Sequence, residues 1–120
     1  MAKLILTVDD SPSIRLMMKF TLTAEGFAVV QASDGVEALE IAKQRVADLV
    51  LTDINMPRMD GLALIKELRS LPGYKTVPML IITTESGQNS KQIGKANGAT
   101  GWLVKPFDEQ QLLATIRRVL

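Results

Sequence analysis

A doubly wound α/β fold, with five parallel strands and a helix after each, is what this sequence predicts. Three observations carry the expectation. Short apolar, β-rich runs alternate with helix-patterned stretches from one end to the other. The runs are continuously apolar rather than alternating, the pattern of strands covered on both faces. Most helical stretches open on a capping residue and then carry apolar residues at helical spacing.

The first strand, Lys3–Val8, ends at Asp9 and Asp10. Ser11 and Pro12 follow as N-cap and first helical residue. Their helix carries Ile14, Met17, Met18 and Leu22 on one face and stops at Gly26. The second strand, Phe27–Ala32, leads to Asp34 and Glu37, spaced as a capping box. Gly35, Ala38, Leu39, Ala42 and Val46 then fall on one helical face. After the third strand, Leu49–Asp53, Asp60 caps a helix whose Leu64, Ile65 and Leu68 face inward, with Pro72 and Gly73 beyond it. The fourth strand is Pro78–Thr83. The helix expected after it, about 88–97, has only Ile93 and Ala96 as firm apolar anchors. Gly94 inside it costs roughly 1 kcal/mol relative to Ala, so a marginal helix is expected. The fifth strand is Gly101–Val104, and Asp108 with Gln111 opens a last helix with Leu112, Leu113, Ile116 and Leu120 as its stripe.

Composition excludes several classes of function. The 120 residues fit one domain, expected to span 1–120. A net charge of +1 argues against general nucleic-acid binding. The charge is uneven: residues 1–85 hold nine Lys/Arg against eleven Asp/Glu, and residues 86–120 hold five against two. There is no Cys and no His, which removes disulfides, thiolate and imidazole metal sites, and the Ser-His-Asp triad. No apolar run approaches the roughly 18 residues of a membrane-spanning helix, and the N-terminal apolar run is too short for a signal peptide. A cytoplasmic location with no membrane partner is therefore expected.

Chemistry-bearing residues gather at the strand ends. Asp9 and Asp10 follow the first strand, Asp53 ends the third, Thr83 ends the fourth and Lys105 follows the fifth. Doubly wound folds place their sites at the carboxyl ends of strands. Each of these residues alone is ordinary: an Asp there often forms a turn or cap. Together they would bring three carboxylates into one crevice. At ~4 Å and an effective dielectric of ~20, each pair of such charges costs about 4 kcal/mol. A hard divalent cation with oxygen ligands relieves that repulsion, and Mg²⁺, which keeps several waters, suits a site that receives phosphate.

The motifs Val8-Asp9-Asp10-Ser11, Leu51-Thr52-Asp53-Ile54-Asn55-Met56-Pro57, Asp60-Gly61, Ile82-Thr83-Thr84 and Lys105-Pro106-Phe107 resemble, as a set, the receiver domains of two-component signalling. The resemblance spans essentially the whole sequence and is strongest to stand-alone CheY-like response regulators. It implies a flavodoxin-like strand order 2-1-3-4-5, which sets strand one beside strand three and strand four on the far side of three. It implies that Asp53 is the phosphorylated nucleophile and that Asp9, Asp10, Asp53 and the backbone carbonyl of Asn55 build the Mg²⁺ site, Asp9 through a metal-bound water. Thr83 and Lys105 would bind phosphoryl oxygens, and Lys105–Pro106 would be a cis peptide. Trp102 stands where the family usually has a rotating Tyr or Phe; filling the core is its other reading. Thr83, Trp102, Lys91 and Lys95 would form the switch and partner surface. Asn55 and Glu85, two residues beyond Asp53 and Thr83, would flank the water that hydrolyses the phosphate. Met56 and Met59 are expected to fill space, and Arg58 to be a solvated loop charge.

A carboxylate that attacks phosphorus forms an acyl phosphate. With no His in the chain, a phosphohistidine donor must belong to another protein, and the resemblance implies a sensor histidine kinase. The sequence stops where its last helix stops, so a single receiver domain without an output domain is expected, signalling through a changed protein-binding surface. The resemblance implies chemotaxis and a flagellar motor target, with a phosphatase as a further partner. A phosphorelay intermediate or phosphate sink is the alternative within this class. A Mg²⁺-dependent phosphatase acting on other molecules is the alternative from another class. In the first reading the chain is not an enzyme beyond its own phosphorylation and dephosphorylation.

Overall fold

Five strands, β1 (Leu4–Val8), β2 (Ala28–Ala32), β3 (Leu49–Asp53), β4 (Met79–Thr83) and β5 (Gly101–Val104), form one sheet in the computed structural model, which describes residues 2–83 and 98–120. All pairings are parallel and the order is β2-β1-β3-β4-β5, as the resemblance implied. Helices α1 (Pro12–Ala24), α2 (Gly35–Gln44) and α3 (Gly61–Arg69) and a C-terminal helix (Glu109–Val119) cover it. The helix expected at about 88–97 lies outside the described residues.

The two-residue period of a strand sends neighbouring side chains to opposite faces. Leu6, Val8, Val50, Met79 and Ile81 therefore pack with Ala38, Ala42, Leu64, Ile65 and Leu68 of α2 and α3. Ile5, Leu49, Leu51, Leu80 and Ile82 pack on the other face with Met18 and Leu22 of α1 and with Leu112 and Ile116. The continuous apolarity of β1, β3 and β4 thus has its cause: these central strands are buried on both faces. β2 and β5 are the sheet edges and stay partly exposed.

Capping side chains open the helices where the sequence placed them. Ser11 accepts a hydrogen bond from the Ile14 N–H, Asp34 from Glu37 and Asp60 from Ala63. Asp108 and Gln111 exchange both bonds of a capping box, at 2.8 and 2.9 Å. The box expected of Asp34 and Glu37 is altered: the Glu37 carboxylate reaches back to the Ser33 N–H at 2.6 Å, not to Asp34. Two buried positions were expected wrongly. Val46 is 53% exposed, because α2 stops at Gln44 and Arg45 turns extended, which takes residue 46 out of helical register. Leu120 is 39% exposed, one residue past its helix.

Candidate functional site

The sheet topology brings the carboxyl ends of β1 and β3 side by side. Val8 pairs with Thr52, so Asp9 and Asp53 are the next residues along adjacent strands. Asp9 is fully buried, Asp53 nearly so, and Asp10 faces solvent. One carboxylate oxygen from each of Asp9, Asp10 and Asp53 lies within 4.8 Å of the others. Lys105 closes the group from the other side. Its backbone N–H donates to the Thr83 carbonyl at 2.8 Å, carrying the β4–β5 ladder one residue past Val104. Its ammonium then donates to Asp9 Oδ2 at 2.8 Å and to Asp53 Oδ2 at 3.1 Å. The Lys105–Pro106 peptide bond is cis.

The remaining carboxylate oxygens are held by backbone. Asp9 Oδ1 accepts from the Ser11 N–H at 2.9 Å, and Asp53 Oδ1 from the Ile54 N–H at 2.8 Å. Arg15, on α1, donates to the Asp9 carbonyl at 2.6 Å and fixes the turn between the strand and the helix. Gly61 has a steric reason to be glycine: a Cβ there would stand 2.0 Å from the Asp53 carbonyl oxygen. The start of α3 is thereby seated directly on the end of β3.

Electrostatics follow from this burial. Desolvation raises the Asp53 carboxyl above the ordinary carboxylate range, and the Asp9 charge adds to it, against the opposing pull of Lys105 and the Ile54 N–H. Burial acts against the Lys105 ammonium, but its hydrogen bonds to Asp9 and Asp53 and their charges outweigh that, and its pKa stands above the usual lysine value. Three carboxylates against one ammonium leave two negative charges in excess. The donor set is all oxygen, hard and converging, which fits a small divalent cation such as Mg²⁺.

Thr83 is buried at the end of β4, where it pairs with Val104. Trp102 pairs with Ile81, two residues earlier on β4, so strand alternation puts Trp102 and Thr83 on the same sheet face. Trp102 is partly buried and packs against the α2–α3 side of the core. Asn55 is exposed, two residues beyond Asp53, while Met56 and Met59 pack partly buried against the core. Glu85, Lys91 and Lys95 lie outside the described residues, as does Thr84.

Arg58 is the solvated loop charge expected, with its side chain 59% exposed, but it also has a partner. Its backbone is left-handed, at φ 67°, and its guanidinium makes a two-pronged contact with Asp34, at 2.9 and 3.0 Å. No sequence signal marked this pair, because Asp34 reads fully as a helix cap and the two residues are 24 apart. The Glu37 N–H holds the Asp34 carboxyl below the ordinary range; burial opposes this and Arg58 reinforces it. A carboxyl lowered on folding stabilises fully above its unfolded pKa, about 3.9, and that contribution is lost as pH falls through the lower folded value. Asp34→Ala, which removes the acceptor for the Glu37 N–H, should therefore lower the urea midpoint at neutral pH, with the gap to wild type narrowing below about pH 4.

A family model described as the response regulator receiver domain matches residues 5–117. This chain belongs to that family. Phosphorylation and Mg²⁺ binding at an acidic pocket are typical of these receivers, which take phosphate from histidine kinases and act on downstream targets. The chain is similar to protein PilH of Pseudomonas aeruginosa, at 37% identity over 97% of this chain and 96% of that protein. It spans about half the length of other curated relatives it matches. Among solved structures, the chemotaxis response regulator CheY4 of Vibrio cholerae superposes with a TM-score of 0.97 at 48% identity, over 100% of both chains. A sensor histidine kinase receiver domain from Pseudomonas aeruginosa PAO1, with a magnesium ion coordinated in its active-site cleft, superposes at 0.91 and 26% identity, over 99% of this chain and 98% of that one.

Proposed function

We propose that this receiver is a phosphorylation-activated response regulator in which Asp53 accepts the phosphoryl group. The observation that carries this reading is the Lys105 ammonium held between Asp9 and Asp53 at the carboxyl edge of the sheet, with Asp10 completing a hard oxygen cluster. Asp9, Asp10, Asp53 and the Asn55 carbonyl would hold Mg²⁺. When bound, Mg²⁺ offsets the excess negative charge and stabilises charge on the phosphoryl oxygens.

The protein's own groups do the rest. An Asp53 carboxylate oxygen attacks the phosphorus of a phosphohistidine on a sensor kinase. The P–O bond forms as the P–N bond breaks, and the electron pair leaves on the imidazole nitrogen, which takes a proton. Lys105 and the Thr83 hydroxyl bind the equatorial oxygens, where the transition state spreads its charge. The polar side chains of Asn55 and Glu85 would orient the water that later hydrolyses the acyl phosphate and so set its lifetime.

Output runs from Thr83 to Trp102, which share a sheet face, and on to Lys91 and Lys95. Phosphate draws the Thr83 hydroxyl toward it, and Trp102 moves into the space released. A differential interaction of ~2–3 kcal/mol would change partner affinity roughly 30- to 150-fold. The partner is a downstream protein of the cytoplasm; the similarity to a chemotaxis response regulator over 100% of both chains supports a chemotaxis role, in which a flagellar motor switch would be the target. In this reading the chain has no substrate apart from its own phosphate.

The test is a Mg²⁺ titration followed by Trp102 fluorescence. Wild type should bind weakly without phosphate. Asp10→Asn should weaken binding by at least the roughly tenfold that losing an outer-shell partner costs a metal site. Unchanged affinity would remove Asp10 from the site, and turnover of small phosphate esters would mark an enzyme acting on other molecules.

A further inference from the structure

The loop from Ile54 to Asp60 carries the backbone that borders Asp53, and it is fastened at three points. At its far end, the Gly61 N–H donates to the Ile54 carbonyl at 2.8 Å, and Gly61 rests against the Asp53 carbonyl. At Met59, the loop abuts the first residue of α2 so closely that a Cβ on Gly35 would stand 2.5 Å from the Met59 carbonyl oxygen. At Arg58, the loop takes a left-handed backbone that L side chains rarely adopt, and the guanidinium grips Asp34 with two nitrogens. Asp34 is at the same time the cap of α2, so its carboxylate is itself held by the Glu37 N–H.

The pair is asymmetric. The Arg58 side chain is 59% exposed and the Asp34 side chain 10%. Ion pairs with so exposed a partner contribute little to stability. A two-pronged guanidinium–carboxylate contact, however, defines geometry. The clamp thus looks to position rather than to folding, and what it positions is the loop bearing Asn55.

We propose that Arg58 and Asp34 act as one positioning clamp for the phosphoryl site: they hold the 54–60 loop so that the Asn55 carbonyl and the amides beyond Asp53 stay in place for phosphoryl transfer. The inference rests on the reading of Asp53 as acceptor. A group that positions the loop serves every transfer at Asp53, so its loss slows both formation and hydrolysis of the acyl phosphate.

The experiment measures two rates on the whole chain: phosphorylation by acetyl phosphate with Mg²⁺, and decay of the phosphoprotein after the donor is removed. Arg58→Gly deletes the guanidinium while suiting the left-handed backbone, which separates the clamp from the turn. Asp34→Asn keeps an oxygen for the Glu37 N–H and removes the charge. Arg58→Lys keeps the charge and loses the fork. Misplacement of catalytic groups is costly, so Arg58→Gly and Asp34→Asn should each lower both rates roughly three- to tenfold. The double variant should be no slower than the worse single one, as expected of partners in one contact, and Arg58→Lys should recover part of the loss. Circular dichroism establishes that each variant is folded, and the lysine variant, the mildest change, carries the comparison if another is not. Wild-type values for either rate in Arg58→Gly, or in Arg58→Lys where it alone folds, would overturn the clamp alone. Absence of label on wild type would overturn the reading of the site, and the clamp with it.

Discussion

Asp53→Asn is expected to abolish phosphoryl uptake from both a phosphohistidine donor and acetyl phosphate. The amide is nearly isosteric, and its oxygen can still accept from the Ile54 N–H, so the loop that follows should keep its place. What is lost is the nucleophile: an amide oxygen attacks phosphorus poorly, and Lys105 loses one of its two carboxylate partners. Neighbouring carboxylates are poor substitutes. Asp9 is buried with its two oxygens engaged by Ser11 and Lys105, and Asp10 is exposed and not among the Lys105 contacts. Radiolabel incorporation should therefore fall to background. Retention of even a tenth of the wild-type label would mean a second acceptor.

Lys105→Met should strongly destabilise the metal-free protein. The Lys105 side chain is 16% exposed, and its partners Asp9 and Asp53 are 1% and 10% exposed. Removing one member of a buried ion pair leaves uncompensated charge and costs about 3–5 kcal/mol. Urea unfolding in EDTA should show that loss, and Mg²⁺ should restore part of it, since it balances the same carboxylates. The pH dependence has a definite sign. The Lys105 pKa is raised on folding, so the lysine's contribution is fully present below its unfolded pKa, about 10.4, and is lost as pH rises through the higher folded value. The gap between wild type and variant should hold through neutral pH and close only in strong alkali. Equal midpoints for the two proteins in EDTA at neutral pH would show that the Lys105 contacts do not hold the site together.

Much of the fold was legible because its elements announce themselves locally. Runs such as Leu49–Asp53 are apolar throughout because both faces are covered, and Ser11-Pro12, Asp60 and Asp108 mark helix starts by the hydrogen bonds their side chains can accept. Helix ends were read less well. Val46 continues the apolar spacing of α2 after the backbone has turned extended at Arg45, and spacing alone carries no record of that turn. Strand order came from the family resemblance, since a two-residue period says which face a residue takes and not which strand lies beside it.

Asp9, Asp10, Asp53, Thr83 and Lys105 stood out because polar residues at the ends of apolar runs contrast with what precedes them. The contacts that position them did not. Arg15 meets a backbone carbonyl, and Arg58 meets a residue that already has a complete explanation as a cap. Arg69 likewise donates to the carbonyls of Gly98, Tyr74, Lys75 and Val77, which tie α3 to the segments before β4 and β5. Cations bound to carbonyls depend on where loops pass in space, and residue spacing does not encode that path.

The central claim is that Asp53 carries the phosphoryl group, and chemical mapping of the phosphorylated wild type tests it most directly. The protein would be treated with acetyl phosphate and Mg²⁺, reduced with borohydride to convert the acyl phosphate to homoserine, digested and sequenced by mass spectrometry. Homoserine at position 53 and at no other carboxylate is the expected result. Homoserine at position 10, or an acid-stable phosphate on a serine or threonine in its place, would contradict the account.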